Sequence, residues 1–311
     1  MLKDVSIVVD SNTAEAIRID KFLNDRFPST TRSFLADAFA AKQILVNGRP
    51  VKKSEKLLLG ATILIKELAE QSDRYVVPVD GNLEIVYESS TIVACNKPAG
   101  MDCHPISVGE VGTLANALVA RYPELSEVGD DPLMAGLLHR IDAGTSGLVV
   151  AAKDSATYEA IRKLFAERKV KKTYHAWVHG RVDAAGGISG NMVHHNSFRG
   201  RMRCVFGPQP NGERLMWAET FYKPLEYRAN ETLLEITIYT GVTHQIRCQL
   251  ASIGHPIVGD VLYGSTCTLR TKNIEGVTVE YFLLQSKAMY LPDQKPIVLS
   301  APLEFKQGNR V

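Results

Sequence analysis

The chain of 311 residues is 45% hydrophobic, and its 36 basic and 34 acidic residues leave a net charge of +2. This length is more typical of two domains than of one, and so balanced a charge does not by itself imply a nucleic-acid partner. No apolar run approaches the roughly 18 residues that span a bilayer, and the N-terminus lacks the basic-then-apolar order of a signal peptide. We therefore expect a cytoplasmic protein without membrane contact.

The first predicted elements are two short helices. They belong to a compact unit over residues 16–67, which follows a tail over residues 1–15. Asp20 is suited to the N-cap of the first helix, which Pro28 ends, and Thr31 is suited to the N-cap of the second.

The same unit continues as a small sheet. Asn47-Gly48 between short apolar segments predicts a tight hairpin, and residues 61–65 predict a closing strand. Through the phrases IRIDKFL, TTRSFL and ILVNGRPVKKSEKLLLGATILI, nearly the whole unit resembles an S4 RNA-binding domain. A small domain whose lysines are merely exposed is the alternative. The resemblance implies RNA backbone contacts at Arg18, Lys21, Arg32 and Lys42.

A polar stretch without periodicity over residues 68–80 predicts a linker to a second domain over residues 81–311. In that domain a short strand is predicted at 83–87, and Thr113 is suited to the N-cap of a helix. The clean alternation over residues 234–239 is typical of a sheet with one covered face. We expect a mixed α+β fold with a largely antiparallel sheet flanked by helices.

Nothing in the sequence indicates a metal or a cofactor. The five cysteines are scattered without a C-x-x-C pair, and no glycine-rich phosphate loop occurs. His175 and His179 lie on one predicted strand, where four residue steps separate them by about 13 Å, too far to share a metal ion. We therefore expect neither a metal ion nor a cofactor.

A charged loop, HRIDAGTSG over residues 139–147, leads directly into the apolar run LVVAA. Such a loop can hold a carboxylate at the rim of a rigid sheet, so Asp142 is the first candidate for chemistry. In the alternative interpretation, Asp142 and Thr145 only satisfy the backbone of a structural turn through short side-chain hydrogen bonds.

A second dense segment, TGVTHQIRCQLASIGHP over residues 240–256, predicts a helix with Thr243 suited to its N-cap and Gly254 to its C-terminal stop. His244 and Arg247 fall on a different face from its apolar residues. Arg247 is thus available to meet an acid, unless it is an ordinary surface arginine.

Basic residues also cluster over residues 168–172 and around Arg201 and Arg203. Phosphate contact is one explanation of such clusters, and a solvated charged face is the other.

Several longer motifs occur together in one order. HRIDAGTSGLVVAAK resembles the catalytic-aspartate motif of the RluA-type pseudouridine synthases, and GVTHQIRCQLASIGHPIVGDVLYG resembles their arginine motif. NKPAG near the start of the domain and KTY at 172–174 resemble two further motifs, so the similarity spans roughly residues 80–305. The resemblance implies an isomerase that detaches uracil from ribose at N1, rotates it and rejoins it through C5 without a cofactor.

The resemblance also implies roles for individual residues. Asp142 is the essential carboxylate, either as a nucleophile or as the group that starts glycosidic cleavage. Arg247 would favour its ionised form and fix its direction. Tyr174 would stack on the flipped base and take part in proton transfer. Contacts to RNA are expected in the same motifs at Arg140, Thr145, His244 and Gln245.

The chain departs from the usual family pattern at three places. Ala143-Gly144 replace a common arginine and aspartate, Val242 replaces an arginine, and SKA at 286–288 replaces L-H-A. These changes predict altered contacts to the nucleotides that flank the target.

We therefore predict a monomeric RNA pseudouridine synthase whose favoured substrate is large-subunit ribosomal RNA, since relatives with an S4 domain often act there. Transfer RNA as substrate and a non-catalytic RNA-binding or assembly factor are the alternatives. A hydrolase that pairs Asp142 with His139 or His244 is a further one, although the chain lacks a nucleophile elbow and a recognisable carboxylate pair.

Overall fold

A computed structural model describes residues 1–10, 17–30, 32–70, 74–195, 200–206, 214–265, 270–274, 277–281, 283–292 and 295–299. The chain divides into two compact units, Met1–Tyr75 and Val76–Val311. None of the helices in the described ranges is long and apolar enough to cross a membrane.

The helices within the described ranges are short. They are α1 (Ile19–Arg26), α2 (Arg32–Ala40), α3 (Leu114–Arg121), α4 (Ser155–Ala166) and α5 (Gln245–Ser252). The strands are β1 (Leu2–Val8), β2 (Ile44–Val46), β3 (Arg49–Pro50), β4 (Thr62–Leu68), β5 (Glu84–Glu88), β6 (Ile92–Lys97), β7 (Ser146–Ala152), β8 (Lys171–His179), β9 (Gly186–His194), β10 (Met202–Val205), β11 (Met216–Arg228), β12 (Glu231–Ile238), β13 (Arg270–Ile274), β14 (Val277–Tyr281), β15 (Leu284–Tyr290) and β16 (Ile297–Val298).

The first unit packs α1 and α2 against a four-stranded sheet of order β1-β4-β2-β3. Ile19 and Leu23 of α1 and Ile63 and Ile65 of β4 are completely buried in its core. The predicted hairpin is confirmed, because β2 and β3 pair across Asn47-Gly48, and both of these residues have positive φ.

Two expectations for this unit are wrong. The expected tail is a strand over Leu2–Val8, because its partly buried apolar residues pack on the core and its backbone pairs with β4. Asp20 is not the N-cap of α1. The backbone N–H groups of Ile19 and Asp20 donate instead to the carbonyls of Glu55 and Lys53, so the helix begins at Ile19 without that side chain. The predicted N-cap Thr31 lies outside the described residues.

The second unit is built on a long sheet of order β10-β9-β11-β12-β8-β15-β7-β6-β5, with β16 beside β15. In the described part of this sheet β15 and β7 pair in parallel, and the other neighbours pair antiparallel. The prediction of a largely antiparallel mixed sheet is confirmed. A separate hairpin joins β13 and β14.

Helices cover both faces of this sheet. One face packs against α3 and α5, and the other packs against α4. Thr113 is confirmed as the N-cap of α3, where it forms a capping box with Asn116. Along β7, Val149 belongs to one core and Val150 to the other, so this strand lies in the middle of the layers.

The start of β7 lies very close to β15. Gly147 has φ +111, and a Cβ atom at this position would overlap the backbone carbonyl oxygen of Ser286. A glycine is therefore required where the HRIDAGTSG loop enters the sheet. This close contact holds the end of the loop against both β7 and β15.

We expect Gly147→Ala to lower the free energy of unfolding by about 3 kcal/mol or more, because the backbone of β15 would have to move. Gly254→Ala is the matched control, since Gly254 also has positive φ (+84) but has open space around it. That control should lose only about 1 kcal/mol. Urea unfolding of both variants measures the difference, and equal losses would contradict the close-packing argument.

Candidate active site

A cavity of about 750 Å³ opens where the HRIDAGTSG loop faces the start of α5. Loop residues 140–145 form one wall, and residues 241–247 form the wall opposite. Lys172 and Tyr174 of β8 line it from the sheet. The two motifs that are distant in sequence thus enclose one space.

The loop around Asp142 is held by its backbone. The Thr145 N–H donates to the Asp142 carbonyl, and the Gly100 N–H donates to the carbonyl of Ala143. Lys97 is completely buried, and its ammonium group donates to three carbonyls, those of Pro98, Met101 and Ala143, at 2.6 to 3.1 Å. Burial lowers the pKa of Lys97 to about 8. These bonds leave the Asp142 side chain free to face the cavity.

The carboxylate of Asp142 does not bond to its own turn. Its oxygen Oδ2 accepts from Nη1 of Arg247 at 3.0 Å, and 27% of the side chain is exposed to the cavity. The structural-turn interpretation does not account for this direction, since the carboxylate points out of the turn. Thr145 is buried in the loop.

Arg247 lies between two carboxylates. Its Nε and Nη2 atoms donate to Oδ2 and Oδ1 of Asp260 at 2.7 and 3.0 Å, while Nη1 donates to Asp142. Although burial alone would lower the pKa of Arg247, the bonds and charges of Asp260 and Asp142 raise it. The surface-arginine alternative is wrong, because the residue is only 7% exposed.

The first turn of α5 differs from its prediction. The N-cap is His244, whose φ is +54, and the helix begins at Gln245 rather than near Thr243. The Gln245 amide oxygen accepts from Thr240 Oγ1 and from the Val242 N–H, and its nitrogen donates to the carbonyl of Glu219. These bonds fix the loop that precedes α5, so the helix starts later in the sequence than predicted. Gln245 is buried and therefore acts as a support for the loop.

Tyr174 and Lys172 project from neighbouring positions on one face of β8. Tyr174 is 5% exposed, and burial strongly raises the pKa of its hydroxyl, which therefore stays protonated. Lys172 donates to the carbonyl of Thr240 at 2.9 Å, and burial lowers its pKa to about 8. The sheet thus brings an aromatic ring and a cation to the cavity.

His244 lies beside the two charged partners. Its Nε2 atom is 4.0 Å from Oδ2 of Asp142, and its Nδ1 atom is 2.9 Å from the hydroxyl of Tyr263. The ring of Tyr263 also lies against the guanidinium of Arg247. Burial lowers the pKa of His244, so the imidazole is neutral near pH 7.

Seven of the predicted site residues line the cavity. Arg18, Lys21 and Lys42 belong to the first unit, as does Arg32, whose side chain lies outside the described residues. Arg201 lies over the ring of Tyr263, and Arg203 is on β10; neither lines the cavity. The seven are Arg140, Asp142, Thr145, Tyr174, His244, Gln245 and Arg247.

Sequence reasoning missed two charged residues, Asp260 and Lys97. Both lie in quoted motifs, HPIVGDVLYG and NKPAG, as single charges among apolar residues. An isolated charge within an apolar segment could have identified these residues, because a charged side chain that becomes buried requires a partner.

At two departures from the family pattern the backbone makes the local bonds. The carbonyl of Ala143 accepts from Lys97 and Gly100, and the N–H of Val242 donates to Gln245. Because these bonds do not involve the side chains of Ala143 or Val242, they do not depend on which residue stands at either position. The third departure contains a shift in strand register between Ser286 and Ala288.

Known proteins resemble this chain in sequence and in fold. A family model described as RNA pseudouridylate synthase matches residues 91–252. Ribosomal large subunit pseudouridine synthase D of Yersinia pestis is 32% identical over 247 residues, which cover 79% of this chain and 73% of the relative. The protein of the same name in Escherichia coli (strain K12) is 34% identical over 248 residues, covering 79% of this chain and 72% of the relative.

The structure of human RNA Pseudouridylate Synthase Domain Containing 1 aligns with a TM-score of 0.53 and 24% identity, covering 71% of this chain and 83% of that one. This likeness supports the assignment of the fold.

We expect Asp260→Asn to lower the free energy of unfolding by about 3 kcal/mol, because it removes the charge that faces a buried guanidinium. Asp183→Asn is the matched control, since the Arg181–Asp183 pair is exposed and should contribute little to stability. Urea denaturation of the two variants tests this, and a loss no larger than that of the control would show that Asp260 does not hold Arg247.

Proposed function

The chain belongs to the RNA pseudouridylate synthase family and is an RNA-modifying isomerase, and we propose that it converts uridine to pseudouridine in large-subunit ribosomal RNA with Asp142 as the essential group. The observation that carries the assignment of Asp142 is its carboxylate, directed into a cavity by a buried arginine. A target uridine must leave its stack to reach such a group.

The residues around Asp142 support a division of roles. Asp142 acts on the nucleoside, and Arg247 pairs with its carboxylate and holds it in one direction. Tyr174 offers a ring on which the flipped base stacks, which recovers part of the cost of unstacking.

The choice of RNA rests on the relatives. The proteins from Yersinia pestis and Escherichia coli carry the name ribosomal large subunit pseudouridine synthase D. We extend that substrate class to this chain. The altered residues Ala143 and Gly144 line the cavity, and this supports the proposal that they change contacts to the flanking nucleotides.

The first unit is proposed to be an S4-like RNA-binding module that contacts the RNA backbone. Exposed Lys21 and Lys42 support this, while Arg18 forms an ion pair with Asp20 at 2.6 Å. We also propose that the protein acts as a monomer.

We expect Asp142→Asn to abolish pseudouridine formation while RNA affinity stays within about threefold, because the variant loses a charge but no packing volume.

Cells that lack the protein would be complemented with the wild type, Asp142→Asn or the exposed control Asp183→Asn, and pseudouridines mapped across all RNAs. The wild type and the control should restore sites in large-subunit ribosomal RNA. Restoration by Asp142→Asn would refute the role of Asp142, and restored sites confined to transfer RNA would refute the target.

In the first unit, the double variant Lys21→Gln with Lys42→Gln should weaken RNA binding and reduce the slope of log affinity against log salt by between 1 and 2. Lys3→Gln with Lys66→Gln is the matched control, because both lysines are exposed on the strands β1 and β4 of the same unit. Filter-binding titrations at several salt concentrations compare the two. Equal slopes would indicate that the unit's lysines are merely solvated.

A further inference from the structure

Tyr263 controls which nitrogen of His244 carries the proton. The Tyr263 hydroxyl oxygen accepts the backbone N–H of Met202 at 2.8 Å and lies 2.9 Å from Nδ1 of His244. Burial strongly raises the pKa of Tyr263, so its hydroxyl keeps its single proton. Among the described residues Nδ1 is the acceptor placed to receive that proton.

The opposite arrangement would leave a buried donor without a partner. If Nδ1 carried the proton, the Tyr263 oxygen would accept from both Met202 and His244, and its own proton would have no acceptor in this 5% exposed residue. An unmade buried hydrogen bond is disfavoured by more than a made one is favoured. Nδ1 therefore accepts, and the proton of the neutral imidazole is on Nε2.

His244 is surrounded by charged groups of both signs. Burial lowers its pKa, and Arg247 and Arg140 add to this, while Asp142 and Asp260 act in the opposite direction. The other titratable group in contact with the ring is the hydroxyl of Tyr263.

The Nε2–H group points into the cavity without an acceptor. Its distance of 4.0 Å to Oδ2 of Asp142 is too long for a hydrogen bond, and the rest of the described structure offers no other partner. A donor held in this way beside the reacting carboxylate is available to a substrate atom.

We propose that the Nε2–H of His244 donates a hydrogen bond to a carbonyl oxygen of the target uracil, and that Tyr263 is a positioning residue that fixes this tautomer. The inference rests on the proposed function. When the bond between N1 and C1′ of the nucleoside breaks with its electron pair on the base, negative charge spreads to the uracil carbonyl oxygens. A preorganised donor stabilises that charge, and removing one such donor costs about 10²- to 10³-fold in kcat.

Two substitutions at His244 separate the roles of its nitrogens. The amide nitrogen of Gln lies near the position of Nε2, whereas that of Asn lies near Nδ1. We expect His244→Gln to keep kcat within about tenfold of wild type and His244→Asn to lose about 10²-fold, with KM changing much less. Asparagine tolerates the left-handed backbone of residue 244, so strain does not explain its loss.

Tyr263→Phe keeps the ring against Arg247 but removes the hydroxyl. We expect about tenfold lower kcat, because the two tautomers of His244 become mixed. Nitrogen-15 NMR of the uniformly labelled full chain without RNA reads the tautomer directly. The wild type should show a neutral imidazole protonated at Nε2 from pH 7 to 9, and Tyr263→Phe should show both forms.

The pH profile supplies an independent readout. With a neutral His244, wild type and His244→Gln should have parallel profiles of kcat from pH 7 to 9. A charged His244 would lose its proton as the pH rises, and wild-type activity alone would then fall.

The results distinguish this inference from the proposed function. An active wild type with Nδ1–H in its spectrum, or an active His244→Asn, would overturn the inference and leave the isomerase assignment intact. A wild type that shows the Nε2–H form but modifies no RNA would overturn the proposed function. If Tyr263→Phe fails to fold, the wild-type spectrum and the two His244 variants still decide the question.

Discussion

The candidate site depends on one guanidinium group held between two carboxylates. Asp260 binds two nitrogens of Arg247 from a position with almost no solvent contact, and this leaves the third nitrogen for Asp142. A bidentate pair allows little rotation, so the direction of the third N–H is set by the protein core. The carboxylate of Asp142 therefore takes its orientation from buried residues, although it stands on a loop.

The fold was predictable where the deciding interactions are local in sequence. The hairpin at Asn47-Gly48 and the capping box of Thr113 follow from residues within a few positions of each other. The strand over Leu2–Val8 was missed because its partner β4 begins about sixty residues later, and neither segment alone reveals the pairing. The same limit applies to α1, whose first N–H groups are satisfied by a loop beyond the next helix.

The site was predictable at the level of motifs and less so at the level of contacts. The resemblance selected Asp142 and Arg247, and the structure places them 3.0 Å apart. The buried roles of Asp260 and Lys97 were not predicted, because the sequence does not show whether a charged side chain in a motif faces the substrate or supports the backbone. The start of α5 was wrong by about one residue, since the side-chain bonds of Gln245 decide it and not helix propensity.

The parallel pairing of β7 with β15 can form only after the ribosome has synthesised β15. The ribosome completes the loop that carries Asp142 and the helix that carries Arg247 before it makes β15. Gly147 cannot meet Ser286 until that late strand has left the exit tunnel, and pairings between such distant segments form slowly. The nascent chain therefore holds both charged partners before the strand pairing that frames them has formed.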